Sequence, residues 1–137
     1  MVKLVLDTNV LISALIKRGK PRTLFLELAR GGVQLIISKE ILDEFIEVVA
    51  DARIRKYIDE EDLTKFLRII GSVAKVVKVR STFKVVRQDP SDDVILRMAY
   101  DGKVNYIVSG DSHLLSLKEF KGIKIVTVSE SLELLKG

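Results

Sequence analysis

Apolar residues along this chain fall into two alternating periods. Val2-Lys3-Leu4-Val5-Leu6 is a short β-branched and aliphatic run, the pattern of a strand buried on both faces in a parallel sheet, and it stops at Asp7. Asp7, Thr8 and Asn9 are poor strand residues and good helix caps, and Val10 to Ile16 is apolar nearly all round, so a strand hands over to a buried helix. Pro21 stands where the first position of a second helix would be, Leu24, Phe25, Leu28 and Ala29 give it a stripe, and Gly31-Gly32 end it. Val33 to Ile37 reads as the second strand. Ser38 caps a helix whose buried face is Ile41, Leu42, Phe45, Val48 and Val49, with Glu40, Glu44 and Glu47 along another face. Asp59 starts a further helix, with Glu60, Glu61 and Asp62 complementing its dipole and Leu63, Phe66, Leu67, Ile70 and Val73 at helical spacing.

The second half repeats the alternation. Val76 to Val79 is an extended run suited to an edge strand, and Phe83 to Arg87 is a basic connection with no readable period. Asp89 as cap, Pro90 at the first helical position, Asp92 in the first turn and Gly102 past the end bracket a helix. Tyr106-Ile107-Val108 is the next buried strand, and Ser109-Gly110-Asp111 again puts an acid at a strand's carboxyl end. Ile123 to Val128 is the last strand, and Ser129 caps a final helix reaching Leu135. Alternating strands and helices argue a three-layer α/β domain with right-handed crossovers and a mainly parallel central sheet of about five strands. Residues 1–137 fit one such domain, with no internal repeat.

Composition narrows the class. Hydrophobic residues make up 47% and charged residues 31%, and no apolar run approaches the roughly 18 residues of a membrane span. No membrane association and no signal peptide are expected, and zero cysteines remove disulfides, thiolate catalysis and Cys-type zinc sites together. A cytoplasmic location follows by default. The 23 basic against 19 acidic residues give a net charge of +4, which favours a polyanionic partner. The cations gather in Lys17 to Arg22, in Arg53 to Lys56, and in Lys75 to Arg87, a stretch without an acid. Each run by itself reads first as solvated surface, with a nucleic-acid path as the alternative.

The acids carry the chemistry. In an open α/β sheet, ligands bind beyond the carboxyl ends of the strands. That edge would gather Asp7 and Asp111 from strand ends, Asp92 from a helix N-terminus and Glu44 from the second turn of a helix. Carboxylates about 5 Å apart repel by roughly 3 kcal/mol per pair at an effective dielectric of about 20, so something must offset them. The site either holds acids of raised pKa or binds a hard divalent cation, and an all-oxygen donor set suits Mg²⁺ or Mn²⁺, ions that act on phosphoryl groups. Asp92 and Asp93 point about 100° apart on a helix, and their positions relative to the stripe Ile95, Leu96, Met98 and Ala99 favour Asp92 only slightly.

Four segments then carry a family resemblance. Leu6-Asp7-Thr8-Asn9-Val10-Leu11, Ser38-Lys39-Glu40-Ile41-Leu42-Asp43-Glu44, Asp89-Pro90-Ser91-Asp92-Asp93 and Val108-Ser109-Gly110-Asp111-Ser112-His113-Leu114-Leu115 resemble the successive motifs of PIN-domain ribonucleases, notably the small stand-alone proteins of toxin-antitoxin pairs. The resemblance implies a PIN-like α/β/α fold and a metal-dependent endoribonuclease acting on single-stranded RNA. In it Asp7, Glu44, Asp92 and Asp111 bind Mg²⁺ or Mn²⁺ and serve catalysis, with Asn9 and Ser109 as supporting polar residues. Ser109 stands where many relatives carry Thr, which keeps the hydroxyl. The pattern Asp-Pro-x-Asp ends on Asp92, leaving Asp93 as a secondary ligand or a surface acid complementing the helix dipole. The family also implies a homodimer and, for toxins, an antitoxin partner.

Other classes fit less well. A receiver-type phosphoacceptor wants an acidic pair early in the chain, and a dehalogenase-type phosphatase wants Asp-x-Asp, where Asn9 stands instead. Neither Gly19-Lys20-Pro21 nor Gly102-Lys103-Val104 completes a P-loop. Metal-free cleavage by histidine acid and base is disfavoured because His113 is the single histidine. The remaining alternative is a PIN-like module that binds RNA or protein without catalysis.

Overall fold

The computed structural model describes residues 1–85 and 90–136, the side chains of 90 and 91 excepted. Its elements run β1 (Val2–Leu6), α1 (Thr8–Ile16), α2 (Lys20–Ala29), β2 (Val33–Ser38), α3 (Lys39–Ala50), α4 (Ala52–Arg55), α5 (Glu60–Val73), β3 (Ala74–Val77), α6 (Pro90–Asp101), β4 (Tyr106–Val108), α7 (Ser112–Leu117), β5 (Glu119–Phe120), β6 (Ile123–Val126) and α8 (Val128–Leu135). The strands form one sheet in the order β3-β2-β1-β4-β6-β5, parallel throughout except for the β5–β6 pair. β1 lies between β2 and β4, the place where the strand order reverses, and so Asp7 at its end sits at the switch point of the sheet.

Right-handed crossovers set the layers. Moving outward from β1 to β2 and β3 puts α1, α2, α3 and α5 together on one face, where α1 touches α2, α3 and α5. The return from β3 to β4 puts α6 on the other face, against β1 and β2. Leu4, Val5, Leu35, Ile36, Ile107 and Val108 are all within 1% of complete burial, as the unbroken apolar runs require for strands covered on both sides. Phe25, Phe66 and Phe45 stack in series between α2, α5 and α3, with centroids 4.0 and 5.4 Å apart. Gly102, just past α6, is a close approach: a Cβ there would stand 2.7 Å from Ile36 Cγ2 and 3.0 Å from the Met98 carbonyl oxygen.

The sheet has six strands rather than about five, because the two-residue β5 folds back on β6 through the turn Lys121-Gly122, with φ of +49° and +83°. The edge strand lies at Ala74–Val77, not 76–79: α5 ends at Val73 and the chain pairs with β2 at once. β6 stops at Val126 because Thr127, not Ser129, caps α8. The Thr127 hydroxyl accepts from the Glu130 N–H (3.1 Å), and the Glu130 carboxylate accepts from the Thr127 N–H (3.0 Å), a reciprocal box that outcompetes strand pairing. Ala29, placed on the buried stripe of α2 by its spacing, is exposed, since that helix buries only Leu24, Phe25 and Leu28. The capping role expected of Asp89 and the basic residue Arg87 lie outside the described residues.

Candidate active site

The local structure around Asp7 is fixed by a strand end meeting a helix start. Its Oδ1 accepts from the Val10 N–H at 2.8 Å, the N-cap contact expected of a residue with an extended backbone. Its Oδ2 accepts from the Ser109 hydroxyl, and Ser109 Oγ in turn accepts from the Asp111 N–H at 3.0 Å. Ser109 is fully buried and therefore ties the two strand-end acids together. Asp111 caps α7, its Oδ1 accepting from His113 N–H (2.7 Å) and Leu114 N–H (3.4 Å). The second Asp111 oxygen stands outside these bonds. Burial pushes the Asp7 carboxyl above the usual carboxylate range, and the neighbouring charge of Asp111 adds to the rise; the Ser109 hydroxyl and the N–H groups of Val10 and Gly110 act in the opposite direction.

These elements enclose a cavity of about 60 Å³ lined by Asp7, Thr8, Asn9, Glu44, Asp92, Ile95 and Asp111. It gathers the acids named from the sequence out of four separate elements: the β1–α1 junction, α3, α6 and the β4–α7 junction. Asp7 and Asp92 are both 4% exposed, Glu44 is half-buried and Asn9 is exposed. The helix α3 carries Glu40, Glu44 and Glu47, and of the three it is Glu44 that reaches the cavity; the other two are exposed. His113 is also exposed and does not line it.

Asp93 takes a different part. It is no surface acid but 3% exposed, and its carboxylate accepts from the Val85 N–H at 2.8 Å. Two further side chains continue this along α6: Arg97 Nε donates to the Phe83 carbonyl (2.8 Å), and Asp101 accepts from the N–H groups of Arg80 (2.7 Å) and Ser81 (2.9 Å) and from the Ser81 hydroxyl. Four helical residues advance about 6.0 Å and two extended residues about 6.6 Å, so residues 81, 83 and 85 meet 101, 97 and 93 in antiparallel register. The first basic run fares differently from its expected alternative. Arg22 Nε and Nη2 donate to the Ala14 and Leu15 carbonyls at 2.8 and 2.6 Å, closing the end of α1, and Lys20 Nζ bonds Ser129 Oγ at 3.0 Å. These two cations are spent on the fold.

Two lining residues escaped the sequence reading. Ile95 supplies an apolar wall, and Thr8 appeared there only as a helix-start residue. The Thr8 hydroxyl is buried and has no hydrogen-bond partner among the described residues. An orphaned hydroxyl in a cavity lined by four carboxylates calls for a polar guest. The donor set, all oxygen and without sulfur or imidazole, fits a hard divalent cation. Among the described residues, however, no three acids converge closely enough to hold an ion unaided. Mg²⁺ commonly keeps several waters and takes only one or two carboxylates directly. The cavity thus fits a hydrated ion better than a bare one.

A model of the PIN domain family matches residues 3–113 of the chain. The chain is 34% identical over 127 residues to the uncharacterized protein MJ1680 of Methanocaldococcus jannaschii, covering 90% of this chain and 81% of that protein. Its fold is similar to a chain in the crystal structure of VapBC2 from Rickettsia felis bound to a DNA fragment from their promoter, with a TM-score of 0.61 and 14% identity over 92% of this chain and 98% of the other.

Proposed function

The chain belongs to the PIN-domain family, and on that premise we propose that it is a metal-dependent endoribonuclease that cleaves single-stranded RNA at the carboxylate-lined cavity. The observation that carries this reading is the meeting of Asp7, Glu44, Asp92 and Asp111 around one small space at the sheet's switch point. These four would hold Mg²⁺ or Mn²⁺, and such an ion when bound neutralises developing phosphoryl charge and lowers the pKa of bound water.

The protein's own residues do the positioning. Ser109 holds the Asp7 carboxylate and the backbone of Asp111 in fixed relation. The Ser109 hydroxyl and two backbone N–H groups oppose the rise that burial imposes on the Asp7 carboxyl. Asn9 offers an amide at the exposed rim, where an entering phosphodiester would pass. Ile95 and the buried stems of β1 and β4 keep bulk water from the far side, which strengthens each electrostatic contact within.

Purified protein should cut single-stranded RNA in Mg²⁺ or Mn²⁺ and lose that activity in EDTA. Undiminished cleavage in chelator would refute the reading. The spread of the carboxylates favours one alternative, an RNA-binding module without catalysis, for which Mn²⁺ titration would show no saturable binding at this site. A homodimer and an antitoxin protein covering the cavity belong to the same proposal, and the likeness of the motifs to small PIN toxins supports them. Co-expression with a neighbouring small reading frame would test the partner.

A further inference from the structure

At the end of α6 remote from Asp92, three aromatic rings from three distant stretches of chain come together. Phe83 stands edge-on to Tyr100 (centroids 5.7 Å, 89°) and tilted against Phe120 (5.3 Å). Tyr100 is 45% exposed, so its ring forms the outer surface of the group. Lys121 Nζ lies 5.6 Å from the Tyr100 centroid and 5.7 Å from that of Phe120. Each ring has a further exposed lysine close along the chain: Lys84 after Phe83, Lys103 three residues after Tyr100 and Lys118 two before Phe120.

The backbone does not account for these lysines. Among the described residues Lys103, Lys118 and Lys121 are the non-glycine residues with positive φ, at +54°, +60° and +49°. Lys121 opens a two-residue hairpin turn where Asn or Gly suits the conformation best. The acids next to these rings along the chain are Glu119, which is exposed, and Asp101, whose carboxylate is taken by Arg80 and Ser81. The surface is therefore aromatic at its centre and cationic at its edge.

An exposed ring with one lysine 5.6 Å from its centroid and further exposed lysines close along the chain suits a nucleobase stacked on the ring and phosphates on the cations, the recurrent solution for single strands. We propose that Tyr100, with Lys121 above it, is a second contact for single-stranded RNA, outside the acidic cavity. This rests on the reading of RNA as substrate. Tyr100 follows Asp92 by eight residues on one helix, about 12 Å along its axis. A strand seated in the cavity would need a few further nucleotides to reach the ring, and short oligonucleotides would miss it. The platform is thus a gauge of substrate length.

The test is fluorescence anisotropy in Mg²⁺, so that the cavity can hold a strand, with cleavage-resistant phosphorothioate single-stranded RNA, a labelled trinucleotide and a longer oligonucleotide of mixed sequence. Tyr100→Ala should weaken binding of the longer RNA about tenfold to hundredfold, while Tyr100→Phe retains the stacking face and the affinity. Lys121→Gln should reduce the slope of log affinity against log salt by about 1. Equal affinity of wild type and Tyr100→Ala for the longer RNA, with both folded by circular dichroism, would overturn the platform. So would an equal loss for the trinucleotide, which points to a general structural effect, and so would no RNA binding by wild type. Unmodified RNA bound but never cut would instead remove the ribonuclease reading, and the comparison of Tyr100→Ala with wild type would still decide the platform.

Discussion

Ser109→Ala tests the coupling on which the candidate site depends. Ser109 is fully buried, its hydroxyl donates to Asp7, and its Oγ accepts from the Asp111 N–H at 3.0 Å. A hydrogen bond to a charged group contributes about 1.5–3 kcal/mol and one between neutral groups about 1 kcal/mol, so deleting both should cost about 3 kcal/mol at neutral pH. For a domain of this size that lowers Tm by about 12 °C, at about 4 °C per kcal/mol. Asp7 would also lose the strongest contact opposing its burial, and its carboxyl would rise further above the usual range. Ion binding needs that carboxylate deprotonated, so Mn²⁺ affinity should fall roughly 10- to 100-fold at neutral pH, as is common when a ligand's supporting hydrogen bond is removed. The pH at which binding is half-maximal should move upward. Circular dichroism melting and Mn²⁺ calorimetry at several pH values measure both effects. A folded Ser109→Ala protein with unchanged Mn²⁺ affinity and unchanged pH dependence would show that Ser109 does not support the site.

Three further outcomes follow from the same contacts. Asp7→Asn should abolish cleavage yet raise the metal-free protein's Tm: a carboxyl raised in the folded state costs stability above its folded pKa, and that cost disappears as pH falls through it toward the ordinary value, so the variant's advantage should vanish in acid. Asp92→Asn should eliminate cleavage and weaken Mn²⁺ binding, whereas Asp93→Asn should keep measurable activity because Asp93 holds Val85 rather than lining the cavity; the reverse order in RNase assays would mean the two roles are exchanged. Gly102→Ala should cost about 1–3 kcal/mol in urea unfolding, since the new Cβ meets the buried Ile36 and a main-chain carbonyl, with Mn²⁺ affinity preserved; unchanged stability would mean that β2 and α6 can part at little cost.

Much of this architecture was legible in order along the chain, because it is encoded locally. Short apolar runs ending in acids, Ser38 and Asp59 as caps and the Gly31-Gly32 stop each act within a few residues, and their alternation with helices leaves few alternatives to a parallel sheet. Asp7 and Asp111 were placed at strand ends for the same reason. What the tertiary structure decided is where distant segments meet. Helical spacing alone put Glu40, Glu44 and Glu47 along one helix; the motif singled out Glu44, and the packing of α3 is what brings it to the cavity. Asp92 and Asp93 are neighbours in sequence, yet one lines the site and the other secures Val85, a division set by how α6 is turned on β1 and β2. Residues 80–85 have no period of their own to read. Their path is imposed by Asp93, Arg97 and Asp101 through main-chain hydrogen bonds, which are indifferent to the side chains of the segment they hold.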